Sequence, residues 1–265
     1  MTRMTRIALH YIAAACLAVA ATGCAKTAPL EPPPPAAKRT PSPDSSEAVD
    51  RILEKYTAAV GGEEAIARVT SYKARGTFRM SIISEPGTFE VWAKDPDKSL
   101  TVVTFPRLGV IRKGRDGETR WTRTPFGGAS DEGPNEFTGL ERDADIYRAG
   151  KVKAMYESMK LEGMGRLGGR DVQIVEAKPA RGPSEKMLFD KETGLLLRWD
   201  MVRKSAKRGN VFVKVHLEDY REAGGLKLPF TVRYAFESFS MTLVIEELQQ
   251  NVEVDDAMFR EPAGK

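Results

Sequence analysis

Cysteine and histidine are almost missing from this chain of 265 residues, with two of each. Cys16, Cys24 and His10 all fall in or at the end of an apolar N-terminal stretch. The rest of the chain has no thiol, which excludes a disulfide, a Cys-based zinc site and a cysteine nucleophile there. It keeps one imidazole, His216, so a serine triad has a single base to draw on and a histidine-rich metal site has no second ligand. Charge of one sign is lacking too. Lys and Arg number 41 against 37 Asp and Glu, and the excess shrinks further once Arg3 and Arg6 leave with a signal segment. A mixed, nearly balanced surface argues against a dedicated nucleic-acid binder. No internal repeat is present. The one long apolar run, Ile7–Ala21, is too short and too rich in alanine for a spanning helix.

What that run does fit is an export signal. Two arginines within Met1–Arg6, an apolar middle and small residues at Ala21-Thr22-Gly23 have the three parts of a secretory leader. The cysteine that follows makes the segment resemble a bacterial lipoprotein signal, with Ala21 where leucine is usual. The resemblance implies cleavage before Cys24 and attachment of diacylglycerol and an N-acyl chain to that residue. Two or more chains suffice for stable anchoring. Ala25 stands where the enterobacterial retention rule asks for aspartate, so by that analogy the destination is the outer membrane, facing the periplasm. No other cofactor is expected. Residues 24–46 then hold Pro29, Pro32 to Pro35, Pro41 and Pro43 with little that is apolar. Such a segment cannot bury enough surface to fold and favours extended polyproline II, a tether holding the domain off the membrane.

Residues 47–265 are enough for one well-buried core. Val49, Ile52, Leu53, Tyr56, Ala59 and Val60 share one helical stripe that Gly61-Gly62 ends, and a short second helix fits Glu63–Val69. The period then changes to two. Strands are expected over residues 72–80, 89–93, 100–105, 110–113 and 119–124, with Asp116-Gly117 as a hairpin turn. Residues 125–134 read as a glycine-rich loop and 140–159 return to helical spacing. Further strands fit 172–177, 186–189, 195–202, 211–217, 228–236 and 241–247. Short links make them antiparallel neighbours. The fold class is therefore α+β, mainly antiparallel β, with about eleven strands in a strongly curved sheet or incomplete barrel and helices on its concave side.

The chemical motifs fail on inspection. Gly163, Gly165 and Gly168 have dinucleotide-fingerprint spacing, but the residues behind them alternate like a strand, so a hairpin is expected. His216 and Glu218 fall on the solvent side of a strand, opposite Val213, Val215 and Leu217. Adjacent carboxylates in a strand point to opposite faces, which leaves only Asp255-Asp256, in a loop, able to cooperate, and no glycosidase-like pair is present. There is no Gly-x-Ser-x-Gly elbow and no phosphate loop. Arg198, Arg203, Lys204, Lys207 and Arg208 make a basic hairpin. It reads as a solvated edge that discourages edge-to-edge pairing, with anionic headgroups as the sharper alternative. What remains is apolar surface. Phe78, Phe89, Leu188, Trp199, Phe230, Val232, Tyr234 and Phe236 read as large inward positions, and a curved sheet so lined either closes on a filled core or holds an apolar ligand.

Three ordered segments resemble the LolA/LolB-type lipoprotein-sorting superfamily. They are Phe189-Asp-Lys-Glu-Thr-Gly194 with Leu195–Trp199, then Gly225–Tyr234, then Asn251–Pro262; Gly114–Trp121 fits as well. The resemblance covers most of residues 47–262. It implies an eleven-stranded incomplete barrel with a helical lid, whose cavity receives acyl chains of lipoproteins or related lipids. It also implies a membrane-insertion loop, for which Leu108 is the candidate and Ile82-Ile83 a second. The expected protein is a non-enzymatic, lipid-anchored periplasmic domain for lipoprotein or lipid trafficking. Its partners would be lipids or lipoprotein acyl chains, the bacterial membrane and a periplasmic carrier or transporter. The other reading is a ligand-free structural or interaction module of the cell envelope.

Overall fold

The computed structural model describes residues 45–125, 152–180, 182–205 and 209–262. Two meanders make the sheet. The first comprises β1 (Ser71–Met80), β2 (Gly87–Lys94), β3 (Lys98–Phe105), β4 (Gly109–Asp116) and β5 (Thr119–Arg123). The second comprises β6 (Ser158–Leu167), β7 (Arg170–Lys178), β8 (Glu185–Asp190), β9 (Leu196–Ser205), β10 (Gly209–Ala223), β11 (Leu226–Ala235) and β12 (Ser240–Gln250). Every neighbouring pair is antiparallel, and β1 pairs with β12, so the order runs 5-4-3-2-1-12-11-10-9-8-7-6. This is an open, curved antiparallel sheet of 12 strands with β5 and β6 at its edges.

Eleven of these strands are those the alternation predicts; β6 is the addition. The helical spacing read over 140–159 fails where it can be checked. Lys153–Met155 form a 3₁₀ turn and Ser158–Met159 already belong to β6; residues 140–151 lie outside the described part. β6 is glycine-rich, carries a bulge between Leu161 and Gly163, and is an edge strand. An edge strand with one neighbour keeps little of the apolar alternation that betrays a central one. The glycine triplet resolves as expected for a hairpin: Gly163 and Gly165 lie within β6, and Gly168-Gly169 make the turn into β7.

Helix α1 (Ser45–Ala59) lies on one face of the sheet. Its stripe of Val49, Ile52, Leu53 and Tyr56, continued by Val60, is buried with Val175, Met187, Phe189, Trp199, Val215, Val232 and Tyr234. Tyr56 meets Phe189 edge-to-face at 5.4 Å. The helix end is pinned where the Lys227 amide donates to the Val60 carbonyl at 3.0 Å. There the chain passes so close that a Cβ on Gly61 would sit 2.6 Å from the Gly225 carbonyl oxygen. A short helix α2 (Glu63–Ala67) follows and buries Ile66.

The opposite face has its own cover. Trp92, Leu100, Val102 and Trp121 alternate away from α1, and the C-terminal segment packs Val252, Val254 and Phe259 against them. The Trp121 indole N–H donates to the Phe259 carbonyl at 2.8 Å. Gly114 leaves room for that indole, since a Cβ there would lie 2.1 Å from its ring. Asp255 caps the terminal 3₁₀ turn through the Ala257 amide at 2.9 Å, and Asp256 meets Lys94 at 2.7 Å and Lys98 at 3.4 Å. The lysine ammonium of Lys94 holds the Asp256 carboxyl below the usual range. The adjacent carboxylates Asp255-Asp256 are thus both used in holding the C-terminus down.

The join between the meanders is tight. Gly76 in β1 faces the β12 backbone so closely that a Cβ would fall 1.9 Å from the Val244 carbonyl oxygen, beside the bulge at Arg75/Gly76. Backbone cannot yield as a side-chain tip can. Gly76→Ala is expected to lower stability by about 1–3 kcal/mol, read as a fall in the urea midpoint with an unchanged slope; wild-type stability would contradict this closeness.

Candidate functional site

Register assigns each side chain to a face. Tyr72, Ala74, Gly76 and Phe78 of β1 pair with Ala93, Val91, Phe89 and Gly87 of β2, and the first three of these pair with Ser99, Thr101 and Val103 of β3. Val103 pairs with Ile111 of β4. Through β12 the same face continues to Leu243 and Val232, then Leu217. This is the face on which α1 lies, so the concave side carries apolar side chains on ten strands, from β4 through β1 and β12 to β7.

α1 covers only part of it. Trp199, Phe230, Val232 and Tyr234 are all buried in the helix-covered cluster, and Phe236 packs at its margin as half of a stacked pair with Phe239, centroids 4.3 Å apart. Phe230 also carries the Arg221 guanidinium above its ring at 4.9 Å, and Arg221 is held by Asp219 at 2.6 Å. Phe78 and Phe89 are buried on the concave face but belong to neither cluster. Phe78 meets Phe105 edge-to-face at 4.9 Å, and a Cβ on Gly87 would strike its ring at 2.3 Å. Beyond them Val103, Phe105 and Ile111 remain half-buried. Together these five residues form an apolar patch on the concave face of β1–β4.

Leu188 corrects the expected set. Its ladder partners are Ile174 and Arg198, and Arg198 pairs with His216. All four share the convex face, opposite Trp199. The sequence run Met187-Leu188-Phe189 is apolar throughout, so alternation could not choose which residues face inward; Met187 and Phe189 do. Leu188 is nonetheless buried, at 4% exposure. Sequence reasoning also missed Val103 and Ile111, whose neighbours Val102 and Val110 blur the alternation in the same way. Leu108 is half-buried in the β3–β4 turn, where its amide donates to the Phe105 carbonyl at 3.2 Å. Ile82, in the β1–β2 link, is 49% exposed. Arg107 and Glu85 join these two links at 2.6 Å. Cys24 lies outside the described residues.

His216 stands on the convex face between Arg198 and Arg233, its partners on the two neighbouring strands. Desolvation, then the two guanidinium charges, lower its pKa to about 4. Arg198 is paired with Asp200 at 2.8 Å and Arg233 with Glu218 at 2.9 Å. Burial likewise pushes the Tyr220 phenol well up, its hydroxyl donating to the Leu196 carbonyl at 2.7 Å. Among the described residues no three His, Cys, Asp or Glu side chains gather to hold a metal. The patch of Phe78, Phe89, Val103, Phe105 and Ile111 offers apolar contact rather than charge.

No family model and no curated protein matches the chain. Solved structures do match. A putative outer membrane lipoprotein-sorting protein domain from Vibrio parahaemolyticus is similar at 14% identity and TM-score 0.55, covering 79% of this chain and 94% of that one. A LolA superfamily protein from Nitrosomonas europaea is similar at 14% identity and TM-score 0.55, covering 80% and 97%. A DUF1329 family protein from Desulfovibrio piger is similar at 17% identity and TM-score 0.54, covering 80% and 97%. The fold is therefore of the LolA/LolB-like class, as the sequence segments suggested.

His216 gives a pH-dependent test. Its folded pKa, about 4, lies below the ordinary imidazole value of 6.5. Below pH 6.5 the unfolded chain binds a proton that the folded one refuses, so this contribution to stability is full above 6.5 and is lost as pH falls toward 4. In the domain, which has one histidine, the imidazole NMR signal is expected to titrate near pH 4. His216→Gln is expected to flatten the loss of stability between pH 6.5 and 4. A midpoint near 6.5 would contradict the placement of the ring.

Proposed function

We propose that this protein binds acyl chains of lipoproteins or other lipids on its concave face, as a lipid-anchored carrier or acceptor in the bacterial cell envelope. One observation carries the reading: among the described residues an apolar concave face continues past helix α1, and Phe78, Phe89, Phe105, Val103 and Ile111 line the part that α1 does not cover. A methylene leaving water gains about 0.8 kcal/mol. A surface that accepts a whole acyl chain is thus worth more than any single polar contact, and it needs neither a charge nor a nucleophile. The names of the similar structures from Vibrio parahaemolyticus and Nitrosomonas europaea support the same class of role. The work proposed is binding and transfer rather than catalysis.

The leader and Cys24 supply the location. Cleavage before Cys24 and acylation of that residue would tether the domain through the proline-rich stretch to a membrane, with Ala25 favouring the outer one. A carrier or transporter in the periplasm would then present the lipid to it.

Two outcomes are expected. In native mass spectrometry, residues 45–265 exposed to membranes should carry co-purifying diacyl lipid, and Val103→Asp should release it while circular dichroism stays unchanged. A lipid-free mass with no uptake of added lipid would favour the ligand-free interaction module. In fractionated cells, Cys24→Ala should move the protein from the membrane to the soluble fraction, and a variant that stays in the membrane would contradict acylation there.

A further inference from the structure

The convex side of β9 and β10 carries a feature that acyl binding does not use. Phe212 is 71% exposed, more than any other large apolar side chain among the described residues, where the next are Ile82 and Met164 at 49%. It pairs with Val202, on the face opposite Met201 and Val213, both of which are buried. The neighbouring strands stop short of it. The β8 ladder with β9 begins at Lys186 opposite Asp200, and the β11 ladder with β10 ends at Ala235 opposite Lys214. Beyond those points, among the described residues, β9 and β10 pair only with each other, through Gly209 opposite Ser205. Five residues at ~3.4 Å each make an arm of roughly 17 Å. A two-stranded arm has little stability of its own in water.

The sequence of this stretch is basic: from Met201 to Leu217 the chain has five Lys or Arg residues and no Asp or Glu. Asp200, opposite Lys214, is engaged by Arg198 at 2.8 Å. Lys214, exposed, stands two residues from Phe212 on the same face. A partner for this surface must be anionic and must take one aromatic ring. A protein interface of standard size needs about 800 Å² from each side, whereas one aromatic side chain buries only ~150–250 Å². A bilayer sets no such demand. Basic residues are drawn to anionic headgroups, and an aromatic ring settles at the interface between headgroup and chain. The arm leaves the sheet at the same end as the β11–β12 hairpin with Phe236 and Phe239, because β10 starts where β11 ends.

We infer that the β9–β10 arm is a membrane contact, docking on anionic phospholipid headgroups with Phe212 entering the interface. It adds a second contact to the proposed anchor at Cys24. It depends on neither the anchor nor the acyl-binding reading, since an empty concave face leaves it unchanged.

Residues 45–265 form a compact unit with its own core, so the test uses this anchor-free domain. It is floated with vesicles of phosphatidylglycerol and phosphatidylcholine in equal parts, and with vesicles of phosphatidylcholine alone. Binding is expected only to the first, falling as salt rises. Lys214→Glu should weaken it roughly fivefold or more, as one basic residue near an anionic surface does. Phe212→Ser should weaken it to a similar degree, while Val244→Ser on β12 should leave it unchanged. Phe212 and Lys214 are both exposed, so equal thermal melts for all variants are expected and separate docking from folding. No flotation with phosphatidylglycerol, equal flotation with both vesicles, or indifference to both arm variants would overturn the contact. Capture of the wild-type domain by polyglutamate but not by phosphatidylglycerol would overturn it in favour of an acidic protein.

Discussion

The ladder between β1 and β12 joins two meanders that would otherwise be separate sheets. Each meander is built from local hairpins, which short turns and alternating side chains specify on their own. The β1–β12 pairing is different, because it brings together residues some 170 positions apart, such as Arg75 and Glu247, which also form an ion pair. Closing so long a loop costs entropy that only the finished ladder and its packing offset. Gly76 is the narrow point of that ladder, where backbone meets backbone without space for a methyl group. From this one pairing follow the continuity of the concave face and the separation of the two open edges, β5 and β6.

Once the sheet is continuous, its two faces must both be dealt with, since an apolar face left in water is costly. The protein does so with opposite ends of the domain. The N-terminal helix covers the concave side of the second meander, and the C-terminal segment covers the convex side of the first. The helix is fastened at its end by the Val60 carbonyl and along its flank by the Lys55 ammonium, which donates to the Lys191 carbonyl at 2.7 Å. Among the described residues, neither cover reaches the concave side of the first meander, where Val103, Phe105 and Ile111 are half-buried. The proposed acyl-binding patch is therefore a consequence of how two covers are shared among two faces and two meanders.

Much of this was legible in the sequence. The change of period from 3.6 to 2 at Tyr72 and the hairpin signals at Asp116-Gly117, Thr193-Gly194 and Gly224-Gly225 locate eleven strands and α1. Trp199 and Val232 are legible as inward because polar neighbours frame them. The illegible parts have physical causes. β6 is a glycine-rich edge strand, so it lacks the pattern that burial on two sides imposes. Met187-Leu188-Phe189 is apolar on both faces, because a helix covers one side and salt-bridged side chains the other; Val102 meets the C-terminal segment while Val103 belongs to the proposed acyl-binding face. Parity in such runs is fixed by pairing partners, which a single sequence does not display. Phe212 was hidden for the opposite reason: in the sequence it sits among valines like a core residue, and only the early end of β8 and β11 leaves it outside.

The period of two also provides the most direct test of the proposed acyl-binding face. Val103 and Thr104 are adjacent in β3 but point to opposite faces. A photoreactive amino acid placed at either position in the full chain and irradiated in cells should report which face meets lipid. The account predicts lipid adducts from position 103 and none from position 104. Adducts from both, or from neither while the protein remains folded, would contradict a concave face that holds acyl chains.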